Sequence, residues 1–293
     1  MLRKDFGRPD VIHVNVLTRL GIIALLCKGL MGKPYVITEH WTRYLPQMDN
    51  YRGFLRKIAT AIVVRNASAV MPVTENLRAA MEYRGLKNRN WHIIPNVVDM
   101  NMFDITDDIP GSVKKRIIHV SCFNDEQKNI SGILRVLKRL SEQRVDWTCQ
   151  MVGDGPDFEK LIHYARELNI EGSFVLFPGV KENYELADMM AAADFNVMFS
   201  RFENLPVVIL ESLACGVPVI STDVGGIREH INADRGILIP SEDEDSLLES
   251  ISYMLDHTVE YNKNKIREYA QHHFSREVIG SRLFEVYSTV INP

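Results

Sequence analysis

The chain has 293 residues, of which 46% are hydrophobic and 25% charged, as is usual for a globular protein with room for two domains. The formal net charge of −4 gives no support to nucleic-acid binding by the chain as a whole. The four cysteines are far apart and lack the spacing of a metal site or redox pair, which indicates reduced thiols in a cytoplasmic protein.

Membrane and export signals are absent from the sequence pattern. The opening residues MLRKDFGRPD lack the apolar region of a signal peptide, so we expect a cytoplasmic location. The apolar run GIIALLC is too short to span a bilayer.

Short β-branched runs alternate with amphipathic segments, a pattern that predicts βα units around a mostly parallel sheet. The first hundred residues predict strands at 10–15, 34–38, 68–73 and 91–96, and helices at 18–31, near 51–65 and from Thr74. A polar stretch without periodicity follows at 100–114 and predicts a domain boundary.

The second half repeats the alternation more fully and is long enough for a complete doubly wound domain. It predicts strands at 116–123, 146–153, 174–179, 193–199, 217–222 and 236–239, a helix ending near 143, and helices at 242–256 and 260–291. We therefore expect an α/β fold with a first domain at 1–105, a second at 106–275 and a C-terminal helix at 276–293.

Two carboxylates stand eight positions apart in the stretch 199–231. Glu203 follows a strand-like apolar run, whereas Glu211 lies inside PVVILESLA, an otherwise apolar helix candidate. An ionised carboxylate on a buried apolar helix costs several kcal/mol unless something specific satisfies it. A ligand that offers hydroxyl groups would do so.

The residues between these carboxylates predict a helix start. Pro206 suits the first helical turn and Asn204 suits the N-cap before it. A helix N-terminus favours phosphate, so the backbone of Asn204, Leu205 and Val207 is a candidate phosphate cradle. Phosphate beside hydroxyl groups describes a nucleotide sugar.

The Glu-x7-Glu spacing, with ACGVPVIST and GGIRE after it, resembles the sugar-donor signature of retaining glycosyltransferase family 4 along nearly the whole chain. The resemblance implies a GT-B fold of two Rossmann-like domains with parallel sheets. It implies that Glu203 contacts the donor sugar near the reacting centre and that Glu211 accepts hydrogen bonds from the ribose hydroxyls. The alternative is that Glu211 caps a neighbouring loop and Glu203 is solvated.

The same resemblance leads us to expect an opening strand, a glycine-rich loop and a helix that this sequence lacks, so we expect an incomplete first domain. In the family that domain carries most of the acceptor site. Whether the short domain leaves the protein active is therefore open.

Lys128 lies between a predicted strand and a helix, where a lysine neutralises a diphosphate as a point charge. In the family an arginine usually stands about five residues earlier, and here that position is Phe123. Arg201 or Arg228 would have to compensate. The alternative for Lys128 is an ordinary surface lysine.

Further candidates follow from strand ends and from the resemblance. His40 follows a predicted strand, and the family usually has a histidine here that faces the donor; Glu39 and Arg43 are acceptor-side candidates. The remaining candidates are backbone positions near the donor: Gly153, Val180 and Gly225. For Gly153 the alternative is a purely structural turn.

The basic amphipathic segment 51–67 suggests either a peripheral contact with an anionic membrane or a core-facing helix with a solvated basic face.

The function that the resemblance implies is retaining, metal-independent transfer of a hexose from a UDP- or GDP-linked sugar to a saccharide or lipid-linked acceptor in polysaccharide or glycolipid synthesis. We expect no cofactor. The alternatives are an inactive nucleotide-sugar-binding partner protein and a GT-B nucleotide-sugar epimerase. The oligomeric state is not predicted.

Overall fold

A computed structural model of the protein describes residues 9–48, 51–106 and 114–292. The chain divides into two compact units, unit 1 with Met1–Asn96 and Glu277–Pro293, and unit 2 with Val97–Arg276. Residues 107–113 of the predicted polar boundary lie outside the described residues. The domain limits at 105 and 275 stay predictions.

The strands of both units are parallel, as the alternating pattern predicts. They are β1 (Ile12–Asn15), β2 (Tyr35–Glu39), β3 (Ala69–Pro72), β4 (Lys115–Val120), β5 (Trp147–Val152), β6 (Val175–Gly179), β7 (Phe195–Met198), β8 (Val219–Thr222) and β9 (Gly236–Ile239). Unit 1 has the order β1-β2-β3, and unit 2 has the order β6-β5-β4-β7-β8-β9.

Helices fill the connections between the strands. They are α1 (Thr18–Met31), α2 (Phe54–Asn66), α3 (Glu75–Tyr83), α4 (Asp125–Lys128), α5 (Ile130–Ser141), α6 (Phe158–Glu167), α7 (Asn183–Ala191), α8 (Val207–Ala214), α9 (Glu244–His257), α10 (Lys263–Phe274) and α11 (Arg276–Ile291). In the part of the chain that the structure describes, no helix combines the length and the apolar character needed to cross a membrane.

The strand order of unit 2 reverses between β4 and β7. From β4 the chain runs outward to β5 and β6, and from β7 it runs the other way to β8 and β9. Ligands of doubly wound sheets bind at such a switch point, outside the carboxyl ends of the strands. The loops after β4 and β7 are therefore where a site is expected in this unit.

Helix α8 is buried on almost every side. Ile209, Leu210 and Leu213 are inaccessible to solvent, and the helix ends before Gly216, whose φ of 70° a residue with a side chain rarely adopts. It begins at Val207, and Pro206 is its N-cap with an extended backbone. The prediction of Asn204 as the N-cap is therefore wrong by two residues, because the backbone is still extended at Pro206 and the helix begins only after it.

Two other sequence expectations need correction. The predicted helix at 260–291 is broken at Ser275, which is extended between α10 and α11 and is a residue type favoured at helix starts. The predicted strand at 91–96 contributes only an isolated bridge between Trp91 and Val70. Its apolar residue Ile94 packs into the core instead.

The core of unit 1 joins residues from both ends of the chain. Val36 and Met71 on the sheet pack with Ile94 and with Ile279 and Val286 of α11. Helix α11 therefore covers apolar side chains that the three-stranded sheet would otherwise expose.

Candidate active site

The two strand-end loops at the switch point carry an ion pair. Lys128, after β4, places its Nζ against Oε1 of Glu203, after β7. The two side chains are only 12% and 7% exposed. Two charges so far out of water are stable only as partners, so each fixes the position of the other.

Local contacts hold Lys128 in place. It ends the single turn α4, whose cap Asn124 accepts the Gln127 N–H at 3.2 Å. The guanidinium of Arg201 donates to the carbonyl oxygen of Asp125 at 2.7 Å and to Oδ1 of Asn129 at 2.8 Å. Arg201 therefore clamps the turn that presents Lys128.

The position where the resemblance expects an arginine belongs to the core. Phe123 is inaccessible to solvent, and its ring packs against those of Phe158 and Phe177 at centroid distances of 5.3 and 6.3 Å. Arg201 is committed to α4 and to an ion pair with Glu242, and Arg228 is paired with Asp223. Phe123 supplies no charge, and both compensating candidates carry ion pairs of their own.

Glu211 lies on α8 among apolar residues. Among the described residues, none donates a hydrogen bond to its carboxylate. Burial raises the pKa of Glu211 from 4.5 to about 7. The side chain thus has unused acceptor capacity, on the helix that follows the loop with Glu203.

Close backbone contacts bring the glycine candidates to this edge of unit 2. Gly225 has a φ of 59°, and a Cβ there would strike the backbone oxygen of Glu203. Gly153, at φ 134°, donates its N–H to the carbonyl of Gly179 at 3.0 Å. Val180, the next residue, is exposed. The structure therefore brings these candidates to the loops that follow β5, β6, β7 and β8.

His40 belongs to unit 1, at the carboxyl end of β2. Burial lowers the pKa of its imidazole, and a hydrogen bond with Asn96 opposes that effect. Glu39 before it is inaccessible to solvent and binds backbone N–H groups, so its carboxylate does not face a ligand. The acceptor-side expectation for Glu39 as a ligand contact is therefore not supported by its geometry.

His119 and Ser121 were not among the residues predicted from the sequence. The buried imidazole has Nδ1 2.8 Å from the Val197 carbonyl, which can only accept, and Nε2 2.8 Å from Ser121 Oγ. Nδ1 therefore carries the proton and the Ser121 hydroxyl donates to Nε2. Burial lowers the pKa of His119 to about 4, so the imidazole is neutral and fixes the loop after β4. The only sequence signal was a histidine in a predicted core strand.

Two other features bear on possible ligands. Among the described residues, no group of three His, Cys, Asp or Glu side chains is arranged to hold a metal ion. A cavity of about 630 Å³ lies at the amino ends of the unit 2 strands, lined by Lys115, Arg116, Asp146 and Asp194 among others. Lys128 lies at the other end of the sheet, after the carboxyl end of β4. Parallel sheets do not ordinarily bind substrates at the amino ends of their strands.

Family models match both halves of the chain. The model described as glycosyl transferases group 1 matches residues 107–273, and that of glycosyltransferase family 4 matches residues 1–101. The chain belongs to the glycosyl transferases group 1 family, a family of glycosyltransferases. Its fold is GT-B, with two parallel sheets that fit two Rossmann-like domains.

Individual proteins agree with this assignment. The chain is 28% identical to N-acetyl-alpha-D-glucosaminyl L-malate synthase of Bacillus anthracis over 96% of its own length and 75% of that protein's. It is 25% identical to the putative teichuronic acid biosynthesis glycosyltransferase TuaC of Bacillus subtilis over 83% of its length, and spans 61% of that relative. HepE of Anabaena, solved with UDP, is 19% identical with a TM-score of 0.83, covering 96% of this chain and 79% of HepE.

Proposed function

We propose that the protein transfers a hexose from a nucleoside-diphosphate sugar to a saccharide or lipid-linked acceptor, with retention of configuration and without a metal ion. One observation carries the proposal: the buried Lys128–Glu203 pair lies at the switch point of unit 2, and the helix that follows the Glu203 loop carries Glu211. A diphosphate needs positive charge and a sugar needs hydrogen-bond acceptors, and these residues supply both.

The roles follow from the chemistry of each group. The Lys128 ammonium has three N–H donors, of which Glu203 occupies one, so two are left for the oxygens of the leaving diphosphate. The unused acceptor sites of Glu203 suit hydroxyls of the transferred sugar. Glu211 suits ribose hydroxyls, which would satisfy its carboxylate. Backbone near Pro206 and Val207 suits the phosphates.

The proposed reaction exchanges one bond for another at the anomeric carbon. The acceptor hydroxyl attacks on the face from which the nucleoside diphosphate departs, so the C–O bond to phosphate breaks and a C–O bond to the acceptor forms. The hydroxyl proton passes to the departing diphosphate. The anomeric configuration of the product, read by NMR, tests retention; unchanged turnover in EDTA tests metal independence.

Thermal unfolding with UDP, GDP and ADP tests the sugar-donor site. A nucleotide at 100 times its Kd should add about 2.7 kcal/mol to the stability of the wild type. Glu211→Ala should abolish that shift, whereas Glu249→Ala, an exposed helical glutamate, should keep it. A shift that survives in Glu211→Ala would contradict the assigned role.

Phe123 favours a second candidate function, that of a protein that binds a nucleotide sugar but does not transfer its sugar. The expected arginine is replaced there by a core residue, which removes one positive charge from the leaving-group site. Nucleotide binding without release of nucleoside diphosphate on a panel of saccharide and lipid-linked acceptors would favour this candidate over the transferase.

We also propose peripheral contact with an anionic membrane, which would suit a lipid-linked acceptor. On α2, Phe54 and Leu55 are 77% and 80% exposed, and the basic residues Arg56 and Lys57 follow them. Sedimentation with phosphatidylserine vesicles should capture the wild type and lose Phe54→Ser/Leu55→Ser. Equal binding of both proteins would contradict this surface.

A further inference from the structure

Glu39 joins two loops of unit 1 through one buried carboxylate. Its Oε2 accepts the Leu17 N–H, in the loop after β1, at 3.0 Å. Its Oε1 accepts the N–H groups of His40 and Trp41, in the loop after β2, at 3.0 and 2.9 Å. One side chain therefore ties together the two loops that leave these paired strands.

These contacts explain how a carboxylate is tolerated without solvent access. Burial raises the pKa of Glu39, while its backbone hydrogen bonds and the charge of Arg43 oppose the shift. All three backbone partners donate, so both carboxylate oxygens act as acceptors. A carboxylate can satisfy donors on both sides, whereas an amide of the same shape can satisfy donors on only one.

The loop after β1 contains a strained residue. Val16 has a φ of 68°, a conformation that is unfavourable for a β-branched side chain. Its N–H donates to the Thr38 carbonyl at 2.9 Å, and the next N–H, that of Leu17, is the one that Glu39 binds. The carboxylate therefore holds the chain in a turn that Val16 would otherwise relax.

We infer that Glu39 is a positioning residue for the transfer reaction. Its carboxylate fixes the place of His40, the next residue, and of Asn15, which is exposed just before the strained turn. It touches no substrate itself. This inference rests on the proposed function and on the position of His40 and of the loop after β1 at the carboxyl ends of the unit 1 strands, where parallel sheets bind their ligands.

Glu39→Gln tests the inference, with Glu82→Gln, on the surface of α3, as the matched control. A displacement of about 1 Å at a reacting group costs on the order of 100-fold in rate, so kcat should fall by about that factor. The UDP-induced thermal shift should persist, because Lys128, Glu203 and Glu211 lie in unit 2. The control should retain wild-type kcat. A kcat of Glu39→Gln within twofold of wild type would overturn the inference.

Val16→Gly in the Glu39→Gln background separates positioning from folding. Glycine adopts a positive φ without strain, so the turn should reform and kcat should recover about tenfold or more. This double variant also serves if Glu39→Gln alone does not fold. No recovery of kcat would overturn the positioning role.

A readout without turnover keeps the two proposals distinguishable. The ring resonances of His40, followed by NMR, should shift in Glu39→Gln and stay unchanged in Glu82→Gln. If no acceptor supports transfer by the wild type, the proposed function fails, and the His40 resonances still decide the positioning. Unshifted His40 resonances in Glu39→Gln would overturn it.

Discussion

Glu211 makes the stability of unit 2 depend on pH. Its pKa is raised from 4.5 to about 7, so between these values the native protein holds a proton that the unfolded chain has released. The free energy of unfolding should therefore fall as the pH rises from 4.5 to 7, by at most about 3.5 kcal/mol, since each pKa unit is worth about 1.4 kcal/mol.

Glu211→Gln should remove this dependence. The variant should match the wild type near pH 4.5 and be more stable above pH 7, because only the wild type then carries a half-buried charge. Urea unfolding at pH 4.5, 6 and 8 measures the difference. Parallel pH profiles for the two proteins would show that the carboxylate is solvated.

The Lys128–Glu203 pair should show strong energetic coupling. Lys128→Met or Glu203→Gln alone leaves the partner buried without its counterpart, which costs about 3–5 kcal/mol. The double variant should lose much less free energy of unfolding than the two single variants together, because no charge is then left unpaired. Urea unfolding of the four proteins measures the coupling.

The exposed pair Lys138–Glu142 on α5 is the matched control for that cycle. Its coupling should not exceed about 1 kcal/mol, as for surface ion pairs in general. Equal coupling in the two cycles would mean that burial adds nothing to the Lys128–Glu203 interaction.

At this scale the sequence indicated residue types but not their partners. The apolar context of Glu211 correctly predicted a carboxylate partly removed from water. The contact between Lys128 and Glu203 was not predicted, because 75 residues separate them and only the order of the strands brings their loops together. The roles of both residues in sugar-donor binding stay predictions.

Among the loops, the turn at Gly225 gives the sharpest test. Gly225→Ala should displace the loop that carries Glu203, because the new Cβ would strike the Glu203 backbone oxygen. Gly172→Ala is the control, since Gly172 also has a positive φ, of 76°, but has open space around it. In both variants the unfavourable φ should lower the free energy of unfolding by about 1–2 kcal/mol.

Only Gly225→Ala should lose more stability than that, and only this variant should lose the nucleotide-induced thermal shift. Thermal unfolding of both variants with and without UDP, GDP and ADP measures this. Equal losses in the two variants would show that the contact with Glu203 relaxes without consequence.

Local sequence signals explain which elements were predicted. Strands such as β4 and β8 are dense in β-branched and apolar residues, so their existence was predicted although their ends were placed up to three residues too far. The break at Ser275 was missed, because apolar residues continue on both sides and no proline or glycine stands at the break itself. Trp91 was misassigned because the apolar residues that follow it serve the core without strand pairing.

For the whole molecule, the two units should unfold with separable responses. The nucleotide that shifts the thermal unfolding of the wild type should raise only the transition temperature of unit 2, which contains Lys128, Glu203 and Glu211. Ile279→Ala should destabilise only unit 1, because it leaves a cavity beside Val36 and Met71. Its free energy of unfolding should fall by about 2–5 kcal/mol. A single transition that both changes shift equally would contradict this prediction.

The fold class was predictable from the alternation of strands and helices, since parallel sheets need helical crossovers. The strand order was not derivable from that alternation alone, because the same βα units are compatible with several orders. The resemblance to a GT-B family added two Rossmann-like domains, and both the family and the fold class are confirmed, whereas the strand order was not predicted.

The packing of α11 onto unit 1 has a consequence for biosynthesis. A ribosome makes β1, β2 and β3 before the strands of unit 2, but Ile279 and Val286, which cover their sheet, emerge some 200 residues after β3. Unit 2, which is contiguous in the chain, has its sheet complete before α11 appears. The strands translated first therefore belong to the unit that is completed last, and until then their apolar face is a target for chaperones.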